Sequence, residues 1–134
     1  MSMNESNSTT IERWHDFVKT QNAEILNEIL AENIKFHSPF VWKPKEGKLM
    51  SSAILTTVTQ VFENFRYVRE ISQGAHHALE FEASIGELTL RGIDLIELDA
   101  DGKIVDFEVM IRPANALQML GMEMTKRLSE KGFI

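Results

Sequence analysis

Asp94 is the residue of this chain whose type and position favour chemistry. Residues 87–98 alternate apolar and polar side chains as a strand does, and Asp94 falls in phase with Leu90, Ile96 and Leu98. A carboxyl group on the apolar face of a sheet must find a partner, or its pKa rises toward neutrality. Both outcomes suit a general acid or base, so Asp94 is the first candidate catalytic residue.

Strand register predicts what faces Asp94. A two-residue hairpin loop at Ile85-Gly86 places His77 opposite Asp94, and a similar loop at Asp101-Gly102 places Val109 opposite it on the other side. The two registers are set by separate turns and agree on which face is apolar. His77 is therefore the second candidate catalytic residue, since an imidazole there would orient the carboxylate or share its proton.

Each assignment has an alternative without catalysis. Asp94 would be a structural acid if it accepted a hydrogen bond from the Trp14 indole, a buried water or a backbone amide. His77, beside His76 at the start of a strand, would be an exposed residue.

An apolar wall around Asp94 would suit proton abstraction next to a carbonyl group, as in an isomerisation or an aldol closure, which needs no cofactor. The expected ligand is a small apolar or carbonyl-containing molecule. His37, Phe40 and Trp42 are expected at the mouth of the site, although His37 also fits an ordinary rim residue. The predicted substrate-binding residues are Trp14, Phe36, His37, Phe40, Trp42, Phe62, Phe81 and Val109.

The composition and the sequence pattern argue against several other classes of protein. The chain has 134 residues, no Cys, and a net charge of −6, which disfavours nucleic acid as a partner. No apolar run approaches the roughly 20 residues that span a bilayer, and the polar start resembles no signal peptide, so a cytoplasmic protein without a membrane partner is expected. The four His include no i, i+4 pair, so no metal site is expected either.

The segment order predicts one α+β domain over residues 11–130, after a flexible N-terminus at residues 1–10. Thr9 and Glu12 have the spacing of a capping box and predict the start of a helix. Further elements follow from periodicity: a helix from about Asn22, a strand at 34–37, a loop at 40–50, a helix from Ser51 or Ser52, strands at 67–73, 77–85, 87–98 and 103–112, and a helix that begins at Pro113.

The outward face of the last strands has a small apolar centre in a charged rim. Such a face suits a homodimer, although an ordinary exposed face is the alternative. The predicted contact residues are Ile93, Leu95, Met110, Arg91 and Arg112.

The element order, together with Phe36-His37-Ser38-Pro39, Gly92-Ile93-Asp94 and Asp101-Gly102-Lys103-Ile104, resembles the SnoaL-like, polyketide cyclase-like group of the nuclear transport factor two-like superfamily. The resemblance spans about Ile11 to Leu128. It implies a cystatin-like α+β fold: a cone-like α+β barrel in which a curved, mostly antiparallel sheet wraps around N-terminal helices. It also implies an apolar pocket and a homodimer formed through the sheet.

The resembled group includes polyketide cyclases, ketosteroid isomerases, limonene epoxide hydrolases and non-enzymatic binding domains. The epoxide hydrolases carry a second aspartate and an arginine near the first acid, whereas this chain has Val109 and Gly92 there. The leading hypothesis is therefore a cofactor-independent isomerase or cyclase that uses Asp94. A non-catalytic ligand-binding or dimerisation domain and a protein-interaction module are the alternatives.

Overall fold

The computed structural model describes residues 3–134, with side chains described from Thr9 onward. The described chain contains four helices and six strands in α+β order. The elements are α1 (Met3–Thr20), α2 (Ala23–Ile29), β1 (Leu30–His37), β2 (Lys45–Glu46), α3 (Lys48–Val61), β3 (Glu63–Gln73), β4 (His76–Ile85), β5 (Leu88–Leu98), β6 (Ile104–Arg112) and α4 (Ala114–Glu130).

The first helix starts earlier than the sequence pattern predicts. The predicted start of the helix at Thr9 is wrong, because α1 already runs from Met3. The residues between Met3 and Thr9 contain no Pro or Gly that would stop a helix. Inside that helix, the hydroxyl of Thr10 donates a hydrogen bond to the carbonyl of Gly102. Residues 1 and 2 of the segment predicted to be flexible lie outside the described residues. The second helix begins close to Asn22, as predicted, and the Asn22 side chain caps it by accepting a 3.1 Å hydrogen bond from the Glu24 amide.

The strands form one curved, mixed sheet in the order β2-β1-β6-β5-β4-β3. All neighbouring pairs are antiparallel except β1 and β6, which are parallel. The sheet is open, with β2 and β3 at its edges, and so it does not close into a barrel. The α+β, cystatin-like fold class is confirmed.

The pairing of β5 with β6 has the predicted register over most of its length. Asp94 faces Val109, and Ile96 faces Phe107. The turn itself is longer than predicted: a bulge between Glu97 and Leu98 lets Leu98 pair with Ile104. The Asp99 carboxylate accepts hydrogen bonds from the Asp101 and Lys103 amides and so holds this five-residue turn.

The predicted register of β4 against β5 is wrong by two residues. Ile85 pairs with Leu88, so the turn is Gly86-Glu87 rather than Ile85-Gly86. Gly86 has a φ of 60°, which its position in the turn requires, whereas Ile85 is buried and continues the strand. Asp94 therefore faces Leu79, and His77 faces Ile96.

The helices cover the concave face of the sheet, and the core lies between them. Apolar residues at alternate positions of β4, β5 and β6 point inward, among them Phe81, Leu90 and Phe107. Phe17 and Leu26 from the first two helices and Leu120 from α4 are buried against this face. No helix in the described part of the chain is both long and apolar enough to cross a membrane.

Candidate functional site

Asp94 lies on the concave face of β5, where only 6% of the residue is exposed. Its Oδ2 accepts a hydrogen bond of 2.7 Å from the Tyr67 hydroxyl. Among the described residues no other side chain bonds to this carboxyl group, so one neutral donor compensates for its burial. An ionised carboxylate in such surroundings is costly.

Burial sets the protonation state of Asp94. Loss of solvation raises the pKa of Asp94 from 3.8 to about 7, and the Tyr67 hydrogen bond opposes this rise only in part. At neutral pH the carboxyl group is therefore present in both its protonated and its ionised form. A group with a pKa near the working pH is well suited to both accept and return a proton.

Tyr67 belongs to a three-residue chain of hydrogen bonds. The Trp14 indole Nε1 donates to the Tyr67 hydroxyl at 2.8 Å, and that hydroxyl in turn donates to Asp94. Tyr67 as a whole is only partly buried, but burial of its hydroxyl and the nearby charge of Asp94 raise its pKa well above the usual value. Tyr67 therefore stays protonated and remains a donor. The Trp14 indole reaches Asp94 only through Tyr67.

Asp94 borders a cavity of about 910 Å³ between the sheet and helices α1, α3 and α4. The volume lies within the roughly 300–1,000 Å³ of small-molecule sites. Most of its wall is apolar and aromatic, and Asp94 has the only acidic side chain among the described residues that line it. The residues of the wall include Val18, Phe65, Tyr67, Phe81, Phe107 and Leu120.

Gly92 leaves room for the ring of Phe81, which forms part of the cavity wall. It pairs with Phe81 across the sheet, and a Cβ atom at Gly92 would lie 2.3 Å from the Phe81 ring. A larger residue there would displace the ring. The same crowding leaves no space at this position for the arginine of the resembled epoxide hydrolases.

The structure places six of the eight predicted substrate-binding residues on the cavity wall and two elsewhere. His37 points to the convex side of the sheet, where its Nε2 lies 3.0 Å from Asp106 Oδ2, because it alternates with the buried Phe36 on β1. Trp42 is 98% exposed in the loop after β1 and does not border the cavity. The six on the wall are Trp14, Phe36, Phe40, Phe62, Phe81 and Val109.

The predicted contact between His77 and Asp94 is wrong. The two-residue register shift moves His77 opposite Ile96, and its Nδ1 lies 2.7 Å from the Ser72 hydroxyl. Burial, followed by the charge of His76, lowers the pKa of His77, so its ring is neutral at physiological pH. His77 does not border the cavity.

Tyr67 is the residue of the candidate site that sequence reasoning missed. It faces Phe81 across β3 and β4, but two irregularities in that pairing, on either side of Tyr67, hide its register. The available signal was that Phe65 and Tyr67 are two residues apart on one strand, which places both side chains on the same face of the sheet.

The described residues contain no cluster of three or more His, Asp or Glu side chains that could hold a metal ion. The chemistry open to the cavity residues is acid-base chemistry. Asp94 can take a proton from a bound molecule and return it, while Tyr67 donates a hydrogen bond to the carboxylate.

Solved structures resemble this chain closely. A steroid delta-isomerase from Pseudomonas aeruginosa shares 42% identity over 94% of this chain and 93% of its own, with a TM-score of 0.91. An uncharacterized protein with a cystatin-like fold from Silicibacter pomeroyi shares 38% identity over 90% of this chain and 85% of its own, with a TM-score of 0.85.

A third structure is similar in fold alone. A protein of unknown function from Mesorhizobium loti, described as similar to nuclear transport factor two, has a TM-score of 0.74 at 13% identity, covering 84% of this chain and 96% of its own. No protein-family model and no curated protein matches the chain.

Proposed function

We propose that this chain, which belongs to the nuclear transport factor two-like superfamily, is a cofactor-independent isomerase that moves a proton along an apolar ketone. One observation carries the proposal: a buried carboxyl group with a pKa of about 7 borders an apolar cavity. The similarity to a steroid delta-isomerase supports a rigid, largely apolar ketone with a nearby carbon–carbon double bond as substrate.

The reaction needs one group that both accepts and donates a proton. Ionised Asp94 removes a proton from the carbon between the carbonyl group and the double bond, which leaves a dienolate. Protonated Asp94 then returns the proton to the far end of the double bond, so that the product is a conjugated ketone. No electron is gained or lost, and the base is regenerated.

Tyr67 has a positioning role in this scheme. Its hydrogen bond fixes the orientation of the Asp94 carboxylate, and the Trp14 indole in turn fixes the Tyr67 hydroxyl. The apolar wall excludes water, which keeps the pKa of Asp94 high and so makes its carboxylate a stronger base than an exposed one.

Isomerisation of a β,γ-unsaturated ketosteroid tests the proposal. The purified protein should convert it to the conjugated ketone, which is followed by its ultraviolet absorbance. Binding is measured separately by quenching of Trp14 fluorescence in a Trp42→Phe background, because the chain has only two Trp residues. Quenching without conversion would contradict the isomerase and favour the non-catalytic ligand-binding domain.

We also propose that the convex face of the sheet forms a homodimer. Ile71 and Met110 are exposed there beside Ile93, in a shallow groove rimmed by Arg69, Arg91, Arg112 and Glu80. An apolar centre with a charged rim is the usual layout of a protein interface.

Analytical ultracentrifugation checks the dimer. The chain should sediment as a dimer at micromolar concentration, and Met110→Glu should sediment as a monomer because it places a charge in the apolar centre. Leu49→Glu changes an exposed apolar residue away from this face and should remain dimeric. A wild-type monomer would overturn the proposal.

A further inference from the structure

Exposed apolar side chains gather where the cavity meets solvent. Phe40 and Val41, in the loop after β1, and Met122 of α4 all border the cavity, yet they are 43%, 49% and 65% exposed. Trp42 follows them and is 98% exposed. We call these four residues the apolar rim. A cluster of exposed apolar side chains usually marks a surface that contacts another protein, a membrane or a ligand.

The loop is held in this outward position by packing. The Phe40 ring lies over Gly121 of α4, where a Cβ atom would be 3.1 Å from Phe40 Cε1. Pro39 and Pro44 fix the backbone φ angle on either side of the exposed residues. Trp42 is thus presented to solvent by an anchored loop.

The surroundings of the rim are basic, although the whole chain is acidic. Lys43 lies in the same loop, Lys45 begins β2 and borders the cavity, and Lys126 borders the cavity from α4. None of the three forms an ion pair with a described residue. The net charge of the chain is −6. Three lysines without an ion pair to a described residue therefore lie beside the exposed apolar residues, together with Glu46 and with Glu123, which pairs with Arg127.

We propose that the apolar rim docks on an anionic lipid surface, with Trp42 in the interfacial layer and the cavity mouth facing the lipid. Trp favours the boundary between headgroups and hydrocarbon, and nearby Lys residues are attracted to anionic lipids. A second copy is a poorer occupant, because a symmetric contact through this patch would bring the lysines of both copies together.

Docking at this place gives an apolar ligand a direct route. A water-insoluble ketone partitions into the bilayer, and a mouth held against the lipid lets it enter without crossing water. The sequence predicts no membrane partner because no segment can span a bilayer. Peripheral docking needs only a surface patch. The apolar rim is such a patch, and it exists only because the fold places the loop after β1 next to α4.

Co-sedimentation with vesicles tests the docking. The full chain should sediment with vesicles of phosphatidylcholine and phosphatidylglycerol, and much less with phosphatidylcholine alone or at high salt. Trp42→Ala should lower the partition coefficient about tenfold through lost apolar contact, and Lys43→Gln or Lys45→Gln about fivefold each. Leu49→Ala, which removes an exposed apolar side chain that borders neither the cavity nor the convex groove, should bind as the wild type does.

Two outcomes would overturn this inference. One is an absence of binding to anionic vesicles, or binding that Trp42→Ala leaves unchanged. The other is self-association in the absence of lipid that Trp42→Ala abolishes, which would show that a second copy covers the rim. Asp94→Asn should bind vesicles normally, so a failure of docking is separable from a failure of the proposed isomerase.

Discussion

The free energy of unfolding should fall by about 4 kcal/mol between pH 4 and pH 8 through Asp94 alone. Its pKa is about 7 in the folded chain against 3.8 for an unperturbed Asp. The folded chain therefore binds this proton more tightly than the unfolded chain does. The stabilisation is complete below about pH 4 and is lost as the pH rises through 7.

Urea denaturation at several pH values measures this effect. Other titrating groups also contribute to the pH dependence, so the quantity of interest is the difference between the wild type and Asp94→Asn. The free energy of unfolding of Asp94→Asn should rise relative to that of the wild type as the pH rises, because Asn stays neutral while Asp94 ionises. Asp101→Asn makes the same change in an exposed turn and should track the wild type. A constant difference between the wild type and Asp94→Asn would mean that the pKa is not raised.

Replacement of Asp94 by Asn should reduce ketosteroid isomerisation by about a hundred- to ten-thousand-fold, the usual contribution of a general base. Asn has nearly the same shape, still accepts the Tyr67 hydrogen bond, and cannot take a proton at its amide. Ligand affinity, read from Trp14 fluorescence in the Trp42→Phe background, should change little. The loss should therefore appear in kcat.

Two further variants separate catalysis from structure. Asp101→Asn should keep full turnover, since its carboxylate is exposed in the β5–β6 turn. Tyr67→Phe removes the hydrogen bond that lowers the pKa of Asp94, so the rising limb of the rate against pH should move to higher pH. If Asp94→Asn retains turnover, Asp94 is a structural acid.

The inner position of Asp94 was predictable because it depends only on alternation along a strand. A register error of two residues keeps every side chain on its own face, so Asp94 stayed among buried apolar residues although the β4–β5 turn was misplaced. The same error changed the residue opposite Asp94 from His77 to Leu79. Face assignments therefore tolerate errors that pairwise contacts do not.

Other features depended on information that the pattern does not contain. The irregular pairing of β3 concealed Tyr67, and the loop after β1 has no period from which the direction of Trp42 could be read. The N-terminus of α1 was misplaced because a sound capping pattern at Thr9 lies within a longer helix. The partner of Tyr67 in the sheet, Phe81, is 14 residues away along the chain, which a local pattern cannot reveal.

Movement of a deuterium label along a ketosteroid most directly tests the claim that Asp94 moves a proton in the cavity. The label starts on the carbon between the carbonyl group and the double bond, and NMR or mass spectrometry follows its loss from that carbon. The wild type should accelerate this loss and carry the label to the far end of the double bond, because Asp94 returns the proton that it removed. Asp94→Asn should bind the ketone but leave the label in place at the uncatalysed rate. Equal loss of the label with both proteins, or none with the wild type when the ketone is bound, would contradict the account.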